Sequence, residues 1–511
     1  MSETGQPATT RPSLPLNVLT NVGSQVWNAA MSMLFVPVYV RYMGVESYGL
    51  IGVFGILHAW LSLLDMGMKP ALSREMARFG AGAVTPQGIR DLLRTVETVT
   101  GVFGLVSACS VALASHWLAT HWLRAEALPI EAVARAFTVM GTVTGIRFVE
   151  SVYASSLTGL QRQVILNAVS SASATLRGLG AIAILEWVSP TIEAFFVWQA
   201  LVALLSLVVM ASVTYGSIPR APRPARASLE SLREVGKFAG GMLSITVLAS
   251  ALTQLDKAIL ANLLPLSEYA HYSLAVTAAS LVLFVGAPIS QAWAPRLSAL
   301  QAEGNEAGFS DVYHRGAQLV AVAIGSPVVV LIVYAEPLVT AWTRDPELAG
   351  HLAPLIQLLA VGNLLNSLMW MPSQAQFAHG WTGLSNIVNL TAVALIVPTL
   401  FVVAPRYGPI GAACVWISVN VYYSIVYVTI MHRRILKGEM MRFYIQDSAL
   451  PIFASATAGW LASRVVPSFS GPLVLVTASL VGIAALCAGA AITPTIRARI
   501  VERLGRRAAG A

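Results

Sequence analysis

Charged residues are scarce in this chain. Only 11% of its 511 residues are Asp, Glu, Lys or Arg, whereas 56% are hydrophobic and the mean hydropathy is +0.69. A soluble domain carries about 25% charged residues. The composition therefore excludes an ordinary soluble protein and is typical of a chain that crosses a membrane many times.

Several features of enzymes and secreted domains are also missing. The three cysteines, Cys109, Cys414 and Cys487, lie in separate apolar stretches, which provides neither a disulfide framework nor a metal cluster. The phosphate-binding pattern GxxxxGK[ST] is absent, so we expect no ATP hydrolysis by this chain. No stretch is long enough for a soluble nucleotide-sugar-binding domain. We therefore predict that the protein is not an enzyme, with no catalytic residues and no cofactor.

A net charge of +8 could indicate a nucleic-acid partner, but the basic residues are scattered through loops between apolar segments. That distribution follows the positive-inside rule of membrane proteins, so we expect no nucleic acid. The first apolar segment begins near Leu14 after a polar tail. It is long enough to span the bilayer, so we expect it to be retained rather than cleaved as a signal peptide.

Windows of about 20 apolar residues predict fourteen transmembrane helices. They cover residues 15–40, 48–66, 95–119, 132–158, 164–187, 191–216, 237–263, 268–293, 315–342, 350–375, 383–404, 409–431, 449–466 and 470–492.

Lysine and arginine are distributed unequally between the two sides of these helices. Of the 32 basic residues, 23 lie in the termini and alternate loops, six lie in the opposite loops, and three lie inside spans. Because cytoplasmic loops carry the excess of basic residues, both termini are predicted to be cytoplasmic. The longest loops, at about 66–94, 217–236, 294–314 and 432–448, fall on the same side.

The order of the spans predicts two lobes. A six-span unit returns the chain to its starting side, so two successive units are related by an axis along the membrane normal. At an offset of 221 residues, Tyr48 falls on Tyr269 and Gly159 on Gly380. We predict an all-α integral membrane fold of about 14 helices, with two six-helix lobes in a parallel pseudo-twofold arrangement plus a C-terminal helix pair. The predicted domains are the N-terminal lobe (1–216), a Pro- and Arg-rich cytoplasmic linker (217–236), the C-terminal lobe (237–435), and the extra pair with a basic cytoplasmic tail (436–511).

Three cations, Arg147, Arg177 and Lys257, lie deep inside predicted spans. A charge at the bilayer centre costs roughly 2.5–3.5 kcal/mol on insertion scales, so it normally faces a cavity or a partner. Glu150 is close enough along the helix to pair with Arg147, and Asp256 is the sequence neighbour of Lys257. Arg177 has no acidic residue within one turn and is the strongest candidate for binding an anionic substrate.

A polar stripe runs along the first span. Asn17, Asn21, Gln25, Asn28 and Ser32 follow one another in steps of three and four residues, which places them on one helix face. Two interpretations stay open, interhelical hydrogen bonds worth about 0.6–2 kcal/mol or the lining of a polar cavity. We favour the cavity because the stripe runs along much of the span. Asn21, Gln25 and Asn28 join the three cations as candidate substrate-binding residues.

Acidic residues inside spans are candidate sites for coupling to Na⁺ or H⁺. Asp65, Glu150 and Asp256 meet this description. Lys69 follows Asp65 by four residues, so an interfacial ion pair explains Asp65 equally well. No metal site is predicted, and the scattered histidines are interpreted as structural: His58, His271 and His379.

Five local motifs carry a family resemblance. They are FVPVYVRYMGVESYG at 35–49, LDMG at 64–67, GLQR at 159–162, the pair Asp256 and Lys257 ahead of Tyr269, and RYGPIGAA at 406–413. Over about residues 15–430 the chain resembles the Wzx-type polysaccharide and O-antigen flippases. These are lipopolysaccharide biosynthesis proteins of the multidrug/oligosaccharidyl-lipid/polysaccharide exporter superfamily.

The resemblance implies translocation of an undecaprenyl-pyrophosphate-linked oligosaccharide across the bacterial inner membrane, by alternating access driven by a cation gradient. The product would be a surface polysaccharide such as O-antigen or an exopolysaccharide. The implied partners are the polyprenyl-linked oligosaccharide, the lipid bilayer, a polysaccharide polymerase and a chain-length regulator. Buried cations suit a pyrophosphate group, which carries about two negative charges.

Two other functions within the same superfamily stay open. A multidrug or cation antiporter would favour acidic and aromatic residues in its cavity, whereas here the buried cations at least equal the buried acids. A flippase for the peptidoglycan lipid precursor would share the fold and the charge pattern. A membrane glycosyltransferase or polymerase fits less well, because the short outer loops contain no cluster of acids or histidines.

Overall fold

The computed structural model describes residues 14–63, 68–228, 254–381, 383–466 and 471–493. Asp65, one of the candidate coupling residues, and the LDMG motif at 64–67 lie outside these ranges. The regular elements of the described residues are helices. This agrees with the predicted all-α membrane fold, because a helix satisfies its backbone N–H and C=O groups within one segment, as lipid requires.

The chain forms two compact units, Met1–Ser250 and Ala251–Ala511. The division between them falls outside the described residues, and the boundaries of the lobes, linker and extra pair stay predictions. Residues 218–228, the described part of the predicted linker, contain no helix. The helices of the first unit are α1 (Leu14–Leu34), α2 (Val36–Met43), α3 (Val45–Ser62), α4 (Met68–Gly80), α5 (Pro86–Trp117) with a π-helical turn at Leu118–Trp122, α6 (Ile130–Gly159), α7 (Gln163–Trp187) and α8 (Ile192–Ser217).

The second unit begins its described part with α9 at residues 254–263. The helices that follow are α10 (Leu266–Ala279), α11 (Leu281–Ala302), α12 (Glu306–Thr343), α13 (Pro346–Leu368), α14 (Trp370–Ala378), α15 (Gly383–Tyr422), α16 (Val428–Arg434), α17 (Met440–Arg442), α18 (Leu450–Val465) and α19 (Val474–Ile492). Two π-helical segments, Tyr423–Tyr427 and Phe443–Ala449, and a 3₁₀ turn, Gly471–Leu473, complete this unit.

Helices occupy the fourteen predicted spans as far as these are described. Nine helical stretches of the described residues are long and apolar enough to cross a membrane, and one of them, Gly383–Arg434, contains the eleventh and twelfth predicted spans. The first, second and thirteenth spans correspond to α1 with α2, to α3 and to α18. Only residues 254–263 of the seventh span are described.

Three of the predicted loops are largely helical. The helix α4 and the start of α5 occupy most of 66–94, α11 and α12 leave only 303–305 between them, and 432–448 holds α17 and parts of two other helical segments. These segments are too charged to count as spans, yet the amphipathic α4 buries Met68, Leu72 and Met76 at steps of four residues. The helices therefore continue beyond the predicted spans into these loops, because hydropathy marks the membrane part of a helix and not its end.

The helix α6 lies at the centre of the first unit. It packs against α3, α4, α5, α7 and α8. Small residues allow its close approach to α5: a Cβ built on Gly104 would lie 2.9 Å from the carbonyl oxygen of Gly145, and one on Gly145 would lie 2.7 Å from that of Gly104. Contacts between small residues are the usual way in which membrane helices approach one another. Since α6 also carries Arg147 and Glu150, this packing positions the candidate site.

Two glycines with positive φ end predicted spans. Gly44, with φ 82°, separates α2 from α3, and Gly408, with φ 57°, breaks α15 between the eleventh and twelfth spans. Residues other than glycine rarely adopt a positive φ. Both glycines belong to the motifs that carry the family resemblance, at 35–49 and 406–413.

The helix α12 is the principal helix of the second unit. It packs against α11, α13, α18 and α19, so the last helix pair lies against it. Its backbone departs from helical geometry at Tyr334, with φ −116° and ψ 19°. Pro337 follows three residues later, and a proline inside a helix is a common cause of such kinks.

We expect Gly145→Ala to destabilise the protein by about 1–3 kcal/mol, the usual cost of overpacking a close contact. The added methyl group would meet the backbone of Gly104 on α5. Thermal unfolding of the purified protein in detergent measures the effect. Gly101→Ala on α5 is the control, because no atom lies within 4 Å of its Cβ position. Equal stability of the two variants would contradict the close approach of α5 and α6.

Candidate functional site

Arg147 and Arg177 line one polar cavity of the first unit. The cavity has a volume of about 280 Å³. The central helix α6 supplies Arg147 and Glu150, and α7 supplies Arg177. Two of the predicted cations and one of the predicted acids therefore meet in one place. The other polar residues of the lining are His58, Lys69, Thr144, Ser151, Ser170 and Ser173.

The guanidinium of Arg147 lies over an aromatic ring and forms no ion pair with the residues that the structure describes. Its Cζ atom is 5.2 Å from the centre of the Phe54 ring, a favourable cation–π distance. Its Nε atom is buried without a hydrogen-bond partner among the described residues. The local ion pair with Glu150 that the sequence left open is not formed. The arginines of the described residues that do form salt bridges with carboxylates are Arg78, Arg94, Arg135, Arg315 and Arg442.

Arg177 borders a second cavity of the first unit as well as the first one. This second cavity has a volume of about 300 Å³. Phe35 and Tyr39 contribute aromatic rings to its lining, while Asn28 and Gln199 contribute amide groups. Arg177 is half-buried and has no salt bridge among the described residues. Its guanidinium can therefore offer hydrogen-bond donors to an anion in either cavity.

Glu150 is held by a hydrogen-bonded chain of serines and not by an arginine. The hydroxyl of Ser206 on α8 donates to a Glu150 carboxylate oxygen. The hydroxyl of Ser173 on α7 donates in turn to Ser206 over 3.1 Å. Glu150 still interacts electrostatically with both Arg147 and Arg177. One carboxylate thus lies near two guanidinium groups, and this cluster keeps an excess of positive charge.

Part of the polar stripe of the first span forms interhelical hydrogen bonds, and part of it lines a cavity. The hydroxyls of Ser24 and Ser171 lie 3.0 Å apart, and the indole of Trp27 donates to Thr175 over 2.9 Å, so part of α1 is hydrogen-bonded to α7. Asn28 donates to the Ser24 carbonyl over 2.7 Å and lines the second cavity. The candidates Asn21 and Gln25 have exposed side chains and line neither cavity.

Lys257 and Asp256 lie on α9 of the second unit. They are not among the described residues that line the cavity of Arg147 and Arg177. The hydroxyl of Tyr272 on α10 donates to Asp256 Oδ2 over 3.4 Å. Asp256 Oδ1 is buried without a hydrogen-bond partner among the described residues. Lys257 interacts electrostatically with Asp256. The neighbouring cation and acid therefore influence each other although their side chains leave the helix about 100° apart.

The sequence did not single out two basic residues of the first cavity. Lys69 was counted with the loop lysines, yet it lines the cavity, with its Nζ 5.4 Å from the centre of the Phe148 ring. His58 was interpreted as structural, yet it lines the same cavity. Both residues lie near the end of an apolar stretch that precedes a charged segment. This position is the feature of the sequence that could have identified them.

A second buried polar cluster also escaped prediction. His314 and Gln318 on α12 meet Asp447 in the π-helical segment Phe443–Ala449. All three side chains are buried. The four-residue step from His314 to Gln318 indicates a shared helix face, but nothing in the sequence links that face to Asp447, which lies 133 residues after His314.

Comparisons with known proteins agree on the kind of fold. The family model described as "Polysaccharide biosynthesis protein" matches residues 16–301. No curated protein matches the sequence significantly. Among solved structures, the lipid II flippase MurJ in an inward closed conformation is similar with a TM-score of 0.71 and 13% identity, over 94% of this chain and 98% of that chain.

Two further solved structures share this fold. One is an inward-facing multidrug resistance MATE family transporter of the MOP superfamily, with a TM-score of 0.63 and 16% identity over 84% of this chain and 94% of that chain. The other is a MOP superfamily transporter from Pyrococcus furiosus, for which a reverse polarity of the binding pocket suggests a different function. Its TM-score is 0.54 with 15% identity, over 84% of this chain and 97% of that chain.

At these identities the structural likeness establishes the fold, and the sequence match establishes the family. The resemblance predicted from the motifs is confirmed by both. Because the family model covers more than half of the sequence, the chain belongs to the family of polysaccharide biosynthesis proteins, with the fold of the MurJ and MATE transporters.

Proposed function

We propose that the protein is a flippase for an undecaprenyl-pyrophosphate-linked oligosaccharide, which it moves across the bacterial inner membrane for surface polysaccharide synthesis. The observation that carries the proposal is the cavity in which Arg147 and Arg177 lie without a salt bridge to any described residue. Membership in a polysaccharide biosynthesis family and a fold shared with a lipid II flippase support the same conclusion.

The charge of the cavity suits a pyrophosphate. A guanidinium presents donors in a planar fork that matches phosphate oxygens, and charge-assisted hydrogen bonds of this kind are about twice as strong as neutral ones. In apolar surroundings such an interaction is stronger than in water. Lys69 adds a further positive charge to the lining, whereas Glu150 is the only acidic residue among the described residues that line it.

The same charge balance separates this proposal from a multidrug antiporter. A cationic drug would meet Arg147, Arg177 and Lys69 in the first cavity and would be repelled. A flippase for the peptidoglycan lipid precursor is the second candidate, since that substrate also carries a pyrophosphate and MurJ shares the fold. The match to a polysaccharide biosynthesis family favours the oligosaccharide.

The wider setting follows from the proposed substrate. We place both termini in the cytoplasm, from the excess of lysine and arginine on that side. A polysaccharide polymerase and a chain-length regulator would act on the translocated product. Lys257, Asn21 and Gln25 stay candidates for further substrate contacts. Transport would be driven by Na⁺ or H⁺, with Glu150 as the coupling residue for which the structure offers the best support, ahead of Asp256 and Asp65.

Deletion of the gene is expected to trap lipid-linked repeat units in the cytoplasmic leaflet and to abolish the surface polymer. The reason is that polymerisation on the outer face needs the flipped substrate. Labelling of lipid-linked sugars accessible from each face of isolated membranes measures this. Normal surface polymer without trapped intermediates would exclude the proposed function, and the trapped glycan would distinguish an oligosaccharide unit from the peptidoglycan precursor.

Arg177→Ala is expected to slow translocation by about tenfold or more, because a charge-assisted hydrogen bond contributes about 1.5–3 kcal/mol. Arg177→Lys keeps the charge and loses the planar fork, so its translocation rate should lie between those of Arg177→Ala and the native protein. The measurement is the rate at which a labelled pyrophosphate-linked oligosaccharide reaches the opposite leaflet of proteoliposomes.

Arg135→Ala is the matched control for this variant. Arg135 is an exposed arginine of the same unit, paired with Glu193 over 3.0 Å and remote from the cavity lining. We expect it to transport like the native protein. An Arg177→Ala protein that inserts normally and transports at the native rate would remove Arg177 from the mechanism.

Glu150→Gln is expected to abolish the stimulation of transport by an ion gradient, because the amide cannot exchange a proton or bind Na⁺ as a carboxylate does. Transport should fall to the rate measured without a gradient. The control is Glu97→Gln, an acid of the same unit that accepts from Tyr215 over 2.7 Å and lies outside the cavity. If Glu150→Gln keeps the full response to the gradient, Glu150 serves only to balance the two arginines.

A further inference from the structure

The second unit contains a buried imidazole placed between two carboxylates. His314 Nδ1 is hydrogen-bonded to Asp447 Oδ2, and His314 Nε2 lies 3.3 Å from Glu439 Oε2. Gln318 donates to the other Asp447 oxygen over 2.7 Å. Both Asp447 oxygens therefore have a partner, while His314 Nε2 is buried without a hydrogen bond among the described residues.

Glu439 connects this cluster to a cavity at the surface of the unit. The cavity has a volume of about 530 Å³ and is lined by the 303–305 turn, the start of α12 and the segment after α16. Glu439 lines it, and its side chain is 33% exposed, whereas that of His314 is 1% exposed. The loops that form this cavity lie on the predicted cytoplasmic side. Glu439 therefore lies both on the wall of the open polar cavity and beside the buried cluster of His314 and Asp447.

The charge of the cluster makes His314 Nε2 a site for a proton. With neutral imidazole, Nδ1–H donates to the Asp447 carboxylate, and Nε2 faces the Glu439 carboxylate with an unshared electron pair. The buried Asp447 carboxylate then meets a neutral ring, with the partly exposed Glu439 carboxylate on the other side of it, which is unfavourable. A proton on Nε2 converts the ring to imidazolium, whose positive charge lies between the two carboxylates.

We propose that His314, with Asp447, forms a proton-binding site that is filled from this cavity through Glu439. A proton from cavity water bonds to the Glu439 carboxylate. The O–H bond at Glu439 then breaks as an N–H bond forms at His314 Nε2, and Glu439 returns to its carboxylate form. The proton on Nδ1 stays directed at Asp447, so the site gains one positive charge and no other bond changes.

The backbone around this site is suited to respond to that charge. Asp447 lies in the π-helical segment Phe443–Ala449, which leads into α18, and His314 lies on α12. Single π-helical turns occur often at functional sites. Asp447 and Glu439 belong to the segment that precedes the last helix pair, whereas His314 belongs to α12. Protonation of His314 therefore strengthens the attraction between that segment and α12.

Other ionisable side chains near the cluster have partners of their own. Tyr313 is 3.3 Å from His432 Nε2, and His432 Nδ1 is 2.9 Å from the Val428 carbonyl. Arg442 lies 3.5 Å from the same Glu439 oxygen that faces His314. Arg442 therefore offsets the charge of Glu439 at the exposed end, and Asp447 holds the buried end.

The test is a titration of imidazole groups in the purified full-length protein, labelled with ¹⁵N-histidine and placed in nanodiscs without substrate. We expect one imidazole that gains a proton at Nε2 as the pH is lowered over the measured range, and whose signal is missing from His314→Gln. Asp447→Asn keeps the ring and is expected to change its titration. Glu439→Gln is expected to slow proton exchange at this ring by about tenfold or more.

His379→Gln is the control, because His379 lines the same cavity but is hydrogen-bonded to the Ala375 carbonyl and not to Asp447. It should leave the His314 signal unchanged. A His314 ring whose protonation is constant over the range, or whose titration is the same in Asp447→Asn, would overturn the proposal. If His314→Gln does not fold, Asp447→Asn and Glu439→Gln still decide the question.

Use of this proton in transport rests on the proposed function, whereas its binding does not. The titration contains no lipid-linked substrate and no gradient. A titrating His314 therefore stands even if the gene deletion excludes the proposed translocation, and a silent His314 leaves the flippase proposal intact.

Discussion

The first unit is organised around the cost of holding two guanidinium groups in an apolar helix bundle. Neither Arg147 nor Arg177 forms a salt bridge with a described residue, and Glu150, the acid that the structure describes in their cavity, is hydrogen-bonded to Ser206. Compensation comes from the Phe54 ring, from the distributed field of Glu150 and from open volume around both side chains. That volume requires small neighbours, and Ser170 and Ser173 on α7 provide them. The small side chains of α7 and the open volume beside them therefore belong to the compensation of these two charges.

The two units differ in the charge that they bury. The first surrounds one acid with arginine, lysine and histidine, whereas the second holds Asp447 against His314. An anionic substrate and a proton have opposite charges, so each would be bound most strongly by a different unit. If both proposals hold, the two ligands do not compete for the same side chains. Coupling between them would then be carried by helix movement, since direct contact is not needed for a shared equilibrium.

The sequence predicted the positions of the helices better than it predicted the contacts between them. Hydropathy located the spans because lipid imposes the same requirement on every residue of a segment. It also identified Arg147 and Arg177, since a cation in a span is unusual wherever its partner lies. It did not predict that Ser206, 56 residues from Glu150, would replace Arg147 as the partner of Glu150, nor that Asp447 would meet His314. Such pairings depend on how helices pack, and a pattern within one segment contains no information on that packing.

The volume of the cavity limits what Arg147 and Arg177 can bind. Pockets for ligands of drug size occupy about 300–1,000 Å³, and the two cavities that meet at Arg177 lie at the lower end of this range. A pyrophosphate group fits there, whereas an oligosaccharide does not. Its sugars would need another polar surface, and α1 offers one in the exposed Asn21 and Gln25. Polar groups on a membrane helix must meet water, protein or substrate, so under the proposed function these amides are the ones we propose to meet the sugar.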